Sequence, residues 1–363
     1  MKIAIFGLTI SSAWGNGHAT SWRGLCKALV SMGHEFVFFE RDVPCYAKTR
    51  DWETLPPEFG SSKLVLYADW YTIDRLVKRE LLDCDAAIIS SYYFDAQAAA
   101  EAIFDAQHPL SVFYDLGTPV TLEALRAGKQ VPYIPWRGLR DFDLVLSYTG
   151  GPALEALRSD LGAHRVRPLY GHVDPDVHHP VTPVERYRSA LSWLGAYSAD
   201  RLAMLEELFV SPARLRPHEK FLIGGAHYPD RFPWVRNMYF VDYLPLQEHA
   251  AFFSSSRLTL NVTRESMARM GWCPSGRLFE AAACGAAVIS DEWCGLDDFY
   301  TPGEQILIAH TAADTLSAQD MSDAELQAIG RAARERTLDE HTSRHRAVSL
   351  INYLDEAHTP MTM

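Results

Sequence analysis

Around Glu280 the chain reads Pro274-Ser275-Gly276-Arg277-Leu278-Phe279-Glu280, then three alanines, Cys284 and Gly285. This pattern predicts a short helix opened by Pro274 and Ser275 and ended by Gly285. Free N–H groups and the positive end of the peptide dipoles gather at such a helix start, a place suited to phosphate. Gly276 and the alanines allow close approach, and Arg277 adds a fixed cation. Glu280, one turn in, is held charged by the same dipole and can accept two hydroxyls of a ribose.

Other residues with chemistry to offer follow predicted strands. In Gly195–Arg201 a glycine opens the backbone, Ser198 and Asp200 can cap a helix, and Arg201 presents a planar fork for phosphate. Gly224 and Gly225 end another strand, and Tyr243-Leu244 could hold a base through a ring or the backbone. Near the N-terminus, Gly15-Asn16-Gly17 resembles the glycine pair of a dinucleotide site, with Glu40 at the end of the second strand where a ribose-binding acid would stand. That rival reading, an NAD(P)-dependent oxidoreductase, has Thr20 in place of the third glycine, and its glycine pair lies too far beyond the first strand. His18 opens the next helix, where the dipole should lower its pKa and favour the neutral imidazole of a general base. Asp95 and Asp115, each just past or at a strand end, are the carboxylates expected to orient it.

The elements that must position these residues alternate between short apolar runs and helical periods. Strands are expected at 2–7, 35–41, 86–93, 110–116 and 142–149. After a proline- and histidine-rich crossing at 168–183 they resume at 189–196, 220–226, 238–244, 258–263, 286–291 and 305–310. The expected architecture is α/β, with two Rossmann-like, doubly wound parallel sheets: residues 1–167, residues 168–340, and a last helix from 341. Ligands of such sheets lie at the carboxyl ends of the strands.

The 34 Lys and Arg against 46 Asp and Glu give a net charge of -12, which argues against a nucleic-acid partner. No apolar run is long enough for a transmembrane segment. The N-terminus reads as a strand rather than a signal peptide, and six cysteines without a CxxC pair read as reduced thiols. A cytoplasmic location is the expectation. The aspartate pairs 141-DFD-143 and 174-DPD-176 could in principle hold a divalent ion, but one flanks a strand and the other lies in the crossing, so no metal and no cofactor are expected.

The segment LFEAAACGAAVISD resembles the hallmark of group 1 glycosyltransferases of the GT-B fold. The longer run from NVTRESMARMGWCPSGRLFEAAACG to GLDDFYTPGEQILIA is similar to their CgeB-like (spore maturation protein) branch. WGNGHAT, FYDLGTPVTLEAL, SYTGGPALEAL, PLYGHVDP and LGAYSADR follow the same branch in order along nearly the whole chain. The resemblance implies an inter-domain cleft between an acceptor-binding N-terminal domain and a C-terminal domain for a nucleotide-sugar donor, with the last helix crossing back onto the first domain. It implies donor contacts at Arg201, Gly225, Tyr243, Leu244, Ser275, Gly276, Arg277, Leu278 and Glu280, and acceptor contacts at Gly15, Asn16, Gly17 and Thr118. The donor would be a UDP-sugar first, or a dTDP- or GDP-sugar, and the acceptor a small molecule, a glycan or a protein; a nucleotide-sugar-binding protein without turnover is the other alternative. Many relatives of this type carry a second glutamate eight residues before the ribose glutamate. Here that position is Trp272, and Glu265 could fold back to replace it. Arg201, Arg277 and the helix start would stabilise the leaving diphosphate without a metal. In an inverting reaction His18 would be the base.

Overall fold

Among the residues described by this computed structural model, 1–14 and 17–358, thirteen strands form two wholly parallel sheets. The chain divides into two units: Met1–Tyr170 with the residues from Ser343 onward, and Gly171–Thr342.

The first unit runs β1 (Lys2–Phe6), α1 (His18–Ser31), β2 (Glu35–Arg41), the single turn α2 (Pro44–Ala47), β3 (Lys63–Tyr67), α3 (Trp70–Leu81), β4 (Ala86–Ser90), α4 (Ala96–Ala106), β5 (Leu110–Asp115), α5 (Thr118–Arg126), β6 (Leu144–Ser147), α6 (Pro152–Leu161) and β7 (Val166–Pro168). Its strand order is β3-β2-β1-β4-β5-β6-β7. The central strands are almost continuously apolar because helices cover both faces. One layer gathers Phe6, Phe39, Ile89 and Phe113 under α3 and α4. The other places Trp22, Leu25 and Leu29 of α1 with Ile5, Phe38 and Ile88, and with Ala347, Leu350 and Leu354 of the last helix. The two edge strands were not anticipated. β3 is short and half-exposed, and its run KLVLY follows a proline- and charge-rich loop that hides the alternation. β7 ends in Pro168, which an edge strand tolerates.

The second unit runs β8 (Leu191–Leu194), a helical stretch containing α7 (Leu202–Leu205), a π turn (Glu206–Val210) and α8 (Ser211–Leu215), then β9 (Phe221–Gly225), β10 (Met238–Asp242), α9 (His249–Ser255), β11 (Thr259–Asn261), α10 (Glu265–Met270), α11 (Gly276–Ala283), β12 (Val288–Ser290), β13 (Leu307–Ile308), α12 (Ala312–Asp320) and α13 (Asp323–Glu340). α14 (Ser343–His358) then returns to the first unit. The order β10-β9-β8-β11-β12-β13 again reverses beside the first strand. Loops leaving β1 and β4 in one sheet, and β8 and β11 in the other, diverge there and open a crevice at the carboxyl ends.

Candidate functional site

In the second unit Arg201, Arg277 and Glu280, three of the residues singled out above, follow strands at that end of the sheet. β8 delivers Trp193, which is fully buried and donates its indole N–H to the Tyr228 hydroxyl at 2.7 Å. The Arg201 and Arg277 guanidinium groups lie 5.4 and 5.9 Å from the centre of its ring. Neither arginine has a carboxylate partner among the described residues. Arg201 donates one N–H to the Ala196 carbonyl at 2.7 Å, but its Nε is buried with no acceptor. Burial first, and the neighbouring Arg277 second, push Arg201 down to about 10. Two cations around one ring, neither paired with a carboxylate, are an arrangement that could accept an anion.

α11 starts beside them. Ser275 caps it, accepting from the Arg277 N–H at 3.3 Å, and the Leu278 N–H donates to the Ser275 carbonyl at 3.0 Å. That leaves the Gly276 N–H at the helix end. Leu278 needs correcting as a donor contact, since its side chain is fully buried and its N–H is already engaged. Glu280 is only 9% exposed, and its carboxylate accepts no hydrogen bond among the described residues. Beside it stand two histidines that sequence reasoning passed over. Ligand atoms of His178, His249 and Glu280 all lie within 4.8 Å of one another.

The remaining donor-side residues are mostly framework. Gly225 ends β9 against the Gly195 carbonyl, 2.0 Å from where a Cβ would stand, so its glycine serves strand packing rather than a ligand. Tyr243 holds a left-handed backbone, φ 50, immediately after β10, with its N–H donating to the Gly225 carbonyl at 2.7 Å. Such a conformation in a bulky residue costs free energy and marks an over-determined turn. Leu244 is buried. Trp272, also left-handed, donates its indole N–H to Asp298 at 2.6 Å. Glu265 does not fold back to replace the family's second glutamate: it pairs with Arg269 one turn along α10. Asp291, at the end of β12, was missed. It accepts from the Thr263 N–H and hydroxyl, and burial raises it to about 6.

In the first unit, Gly15 and Asn16 lie outside the described residues. Gly17 caps α1 in an ordinary backbone conformation, with open space where a Cβ would stand. His18 is half-buried, and burial lowers it to about 4. The direction is the one anticipated, but desolvation rather than the helix dipole is the cause. Neither expected carboxylate orients it. Asp95 is engaged by Arg41 at 2.8 Å and by the Tyr67 hydroxyl at 2.7 Å. Asp115 is fully buried and accepts from the Gly117 N–H at 2.9 Å, while its second oxygen is buried without a partner; burial raises its pKa. Thr118 is not open to an acceptor either, being fully buried with its hydroxyl 2.7 Å from Ser147. Among the described residues the edge of Tyr92 packs against His18, 5.5 Å between ring centres. Tyr92 sits at φ 67 just after β4, and its hydroxyl lies so near Gly117 that a Cβ there would stand 2.9 Å away. A strained tyrosine at a topological switch point is a functional signal, which a lone YY pair in the sequence did not give.

Glu40, the acid of the rival dinucleotide reading, is fully buried. It accepts from Thr9, from the Ile10 and Ser11 N–H groups and from the Ser11 hydroxyl, all within 3.0 Å. It ties down the loop after β1 and is closed to a ribose. The aspartate pairs are likewise structural where seen: Asp143 accepts from Ser111, and Asp141 pairs with Arg137.

Residues 201–352 match the family described as glycosyl transferase-like. No curated protein matches the chain in sequence. Among the solved structures that resemble it along nearly its whole length are two sugar-phosphate synthases and one protein described with UDP and glucose. Sucrose-phosphate synthase from Thermosynechococcus elongatus is 14% identical with a TM-score of 0.69, over 98% of this chain and 99% of that one. Anabaena HepE, in complex with UDP and glucose, is 14% identical with a TM-score of 0.67, over 98% and 100%. The trehalose-6-phosphate synthase OtsA is 12% identical with a TM-score of 0.69, over 98% and 99%. The two parallel-sheet, Rossmann-like units thus have the fold of these solved structures, the GT-B fold.

Proposed function

We propose that the protein transfers a sugar from a nucleoside diphosphate sugar to an acceptor hydroxyl, with the donor held by the second unit and the acceptor by the first. The observation that carries this reading is the pair Arg201 and Arg277, without carboxylate partners among the described residues, at the start of α11 with the buried Glu280 one turn in. The arginines and the Gly276 N–H neutralise the diphosphate as its bond to the anomeric carbon breaks, and Glu280 accepts the ribose hydroxyls. Charge stabilisation of this kind needs no metal. UDP-sugars are the first candidates, because HepE is described with UDP; dTDP- and GDP-sugars follow. His18, neutral at pH 7, takes the acceptor's proton in an inverting reaction and contacts donor or acceptor in a retaining one. The ordered motifs support the CgeB-like branch. The free cysteines, and the lack among the described residues of a helix long and apolar enough to cross a membrane, are consistent with a cytoplasmic setting.

The test is release of nucleoside diphosphate from a panel of UDP-, dTDP- and GDP-sugars in EDTA. Release from one nucleotide class, lost in Arg277→Ala, supports the reading. Release only when a divalent ion is added overturns metal independence, and NAD binding without release from any sugar nucleotide overturns the whole reading.

A further inference from the structure

His178 is 1% exposed, yet neither ring nitrogen has a hydrogen-bond partner. Burying an imidazole in this way costs free energy unless something else satisfies it. Its ring lies 5.8 Å from that of His249, whose Nδ1 is also buried and without a partner. The third member is the Glu280 carboxylate, and the three ligand atoms lie within 4.8 Å of one another. The residues come from distant segments, the crossing before β8 and the starts of α9 and α11, so no local turn explains their meeting.

We propose that His178, His249 and Glu280 form a binding site for one divalent transition-metal ion of the zinc class. Two imidazole nitrogens and one carboxylate oxygen suit such an ion better than magnesium or calcium, which prefer oxygen throughout. At bonds of about 2.0–2.2 Å the donors of a tetrahedral ion stand roughly 3.5 Å apart, so side-chain closure of little more than 1 Å completes the set.

The consequence is exclusion. Glu280 cannot hold both the ion and a ribose, so the ion and the nucleotide compete; this part rests on the donor site proposed above. The metal is then an inhibitor of a reaction that itself uses none.

The full-length protein, stripped with EDTA and desalted, is titrated with Zn²⁺ by calorimetry and with Co²⁺ by absorbance. One ion per chain is expected, without the near-ultraviolet thiolate-to-cobalt band that binding at Cys45 or Cys294 would produce. Affinity should fall at least about 100-fold in His249→Ala and in Glu280→Gln, with circular dichroism confirming that both variants fold. No ion bound, a thiolate band, or unchanged affinity in the folded His249→Ala protein overturns the site. With Zn²⁺ held at ten times its own Kd, the apparent Kd for UDP should rise about tenfold. UDP binding indifferent to Zn²⁺ overturns the exclusion. If UDP fails to bind even in EDTA, the donor reading and the exclusion fall together, while the metal titration still decides the site.

Discussion

Replacing Arg277 by alanine separates a ligand-binding cation from a structural one, because the two roles predict changes of opposite sign. Arg201 and Arg277 lie within 6 Å of the same indole centre, so they are no more than about 11 Å apart. At an effective dielectric of about 20 that separation corresponds to roughly 1.5 kcal/mol of repulsion. Arg277 is half-buried, and the water around it cuts the figure to under about 1 kcal/mol. No carboxylate is left unpaired by the substitution. The nucleotide-free protein should therefore keep its melting temperature or gain up to about 3 °C. UDP binding should weaken, because a charge-assisted hydrogen bond to phosphate contributes about 1.5–3 kcal/mol, or roughly 10- to 150-fold in Kd. Thermal melts with and without UDP, and calorimetry at low ionic strength, read both quantities. A variant that melts several degrees lower and binds UDP as the wild type does would refute the reasoning.

Other expectations follow from the first unit. His18 is lowered to about 4 by burial, against about 6.5 in an unfolded chain, so the folded state binds fewer protons between those values. Its contribution is complete above about pH 6.5 and is lost as pH falls towards 4, by up to about 3 kcal/mol. Urea melts across that range should be flatter for His18→Asn; an unchanged slope would show that His18 does not titrate in this way. Tyr92→Gly relieves the φ 67 backbone but removes the ring packed against His18 and Tyr133, so transfer should fall while UDP affinity stays within twofold, roughly. A matching loss of UDP affinity would remove Tyr92 from the acceptor side. Glu40→Gln keeps the shape but cannot accept all four hydrogen bonds, and should cost about 2–4 kcal/mol and roughly 5–10 °C in melting temperature. A stable variant would show that the loop after β1 is held by something else.

The central strands and the α11 segment were legible because their signals are local. Four to seven apolar residues between turns make a buried parallel strand, and Ser275, Gly276, Arg277 and Glu280 carry helix start, close approach, cation and carboxylate within one turn. The proline-ended β7 lacked the continuous apolar run of a covered strand, whereas β3 has one at residues 64–67 but lies half-exposed at the sheet edge after a proline- and charge-rich loop. The partners of Asp95 and Asp115 were hidden for a different reason. A carboxylate after a strand looks alike whether it faces a cleft or is engaged, as Asp95 is, by Arg41 and Tyr67 from β2 and β3. The cluster of His178, His249 and Glu280 was hidden most completely, since no spacing within the sequence connects its members. His178 stood only as part of a histidine-rich crossing, and His249 as one residue of a helix.

The measurement closest to the central claim is calorimetric titration of UDP, GDP, dTDP and NAD into the wild-type protein and Glu280→Ala, with EDTA present. One nucleoside diphosphate should bind in the micromolar range, on the order of −8 kcal/mol, and lose at least about tenfold in the variant. Binding of NAD alone, with the same affinity in both proteins, would contradict the account.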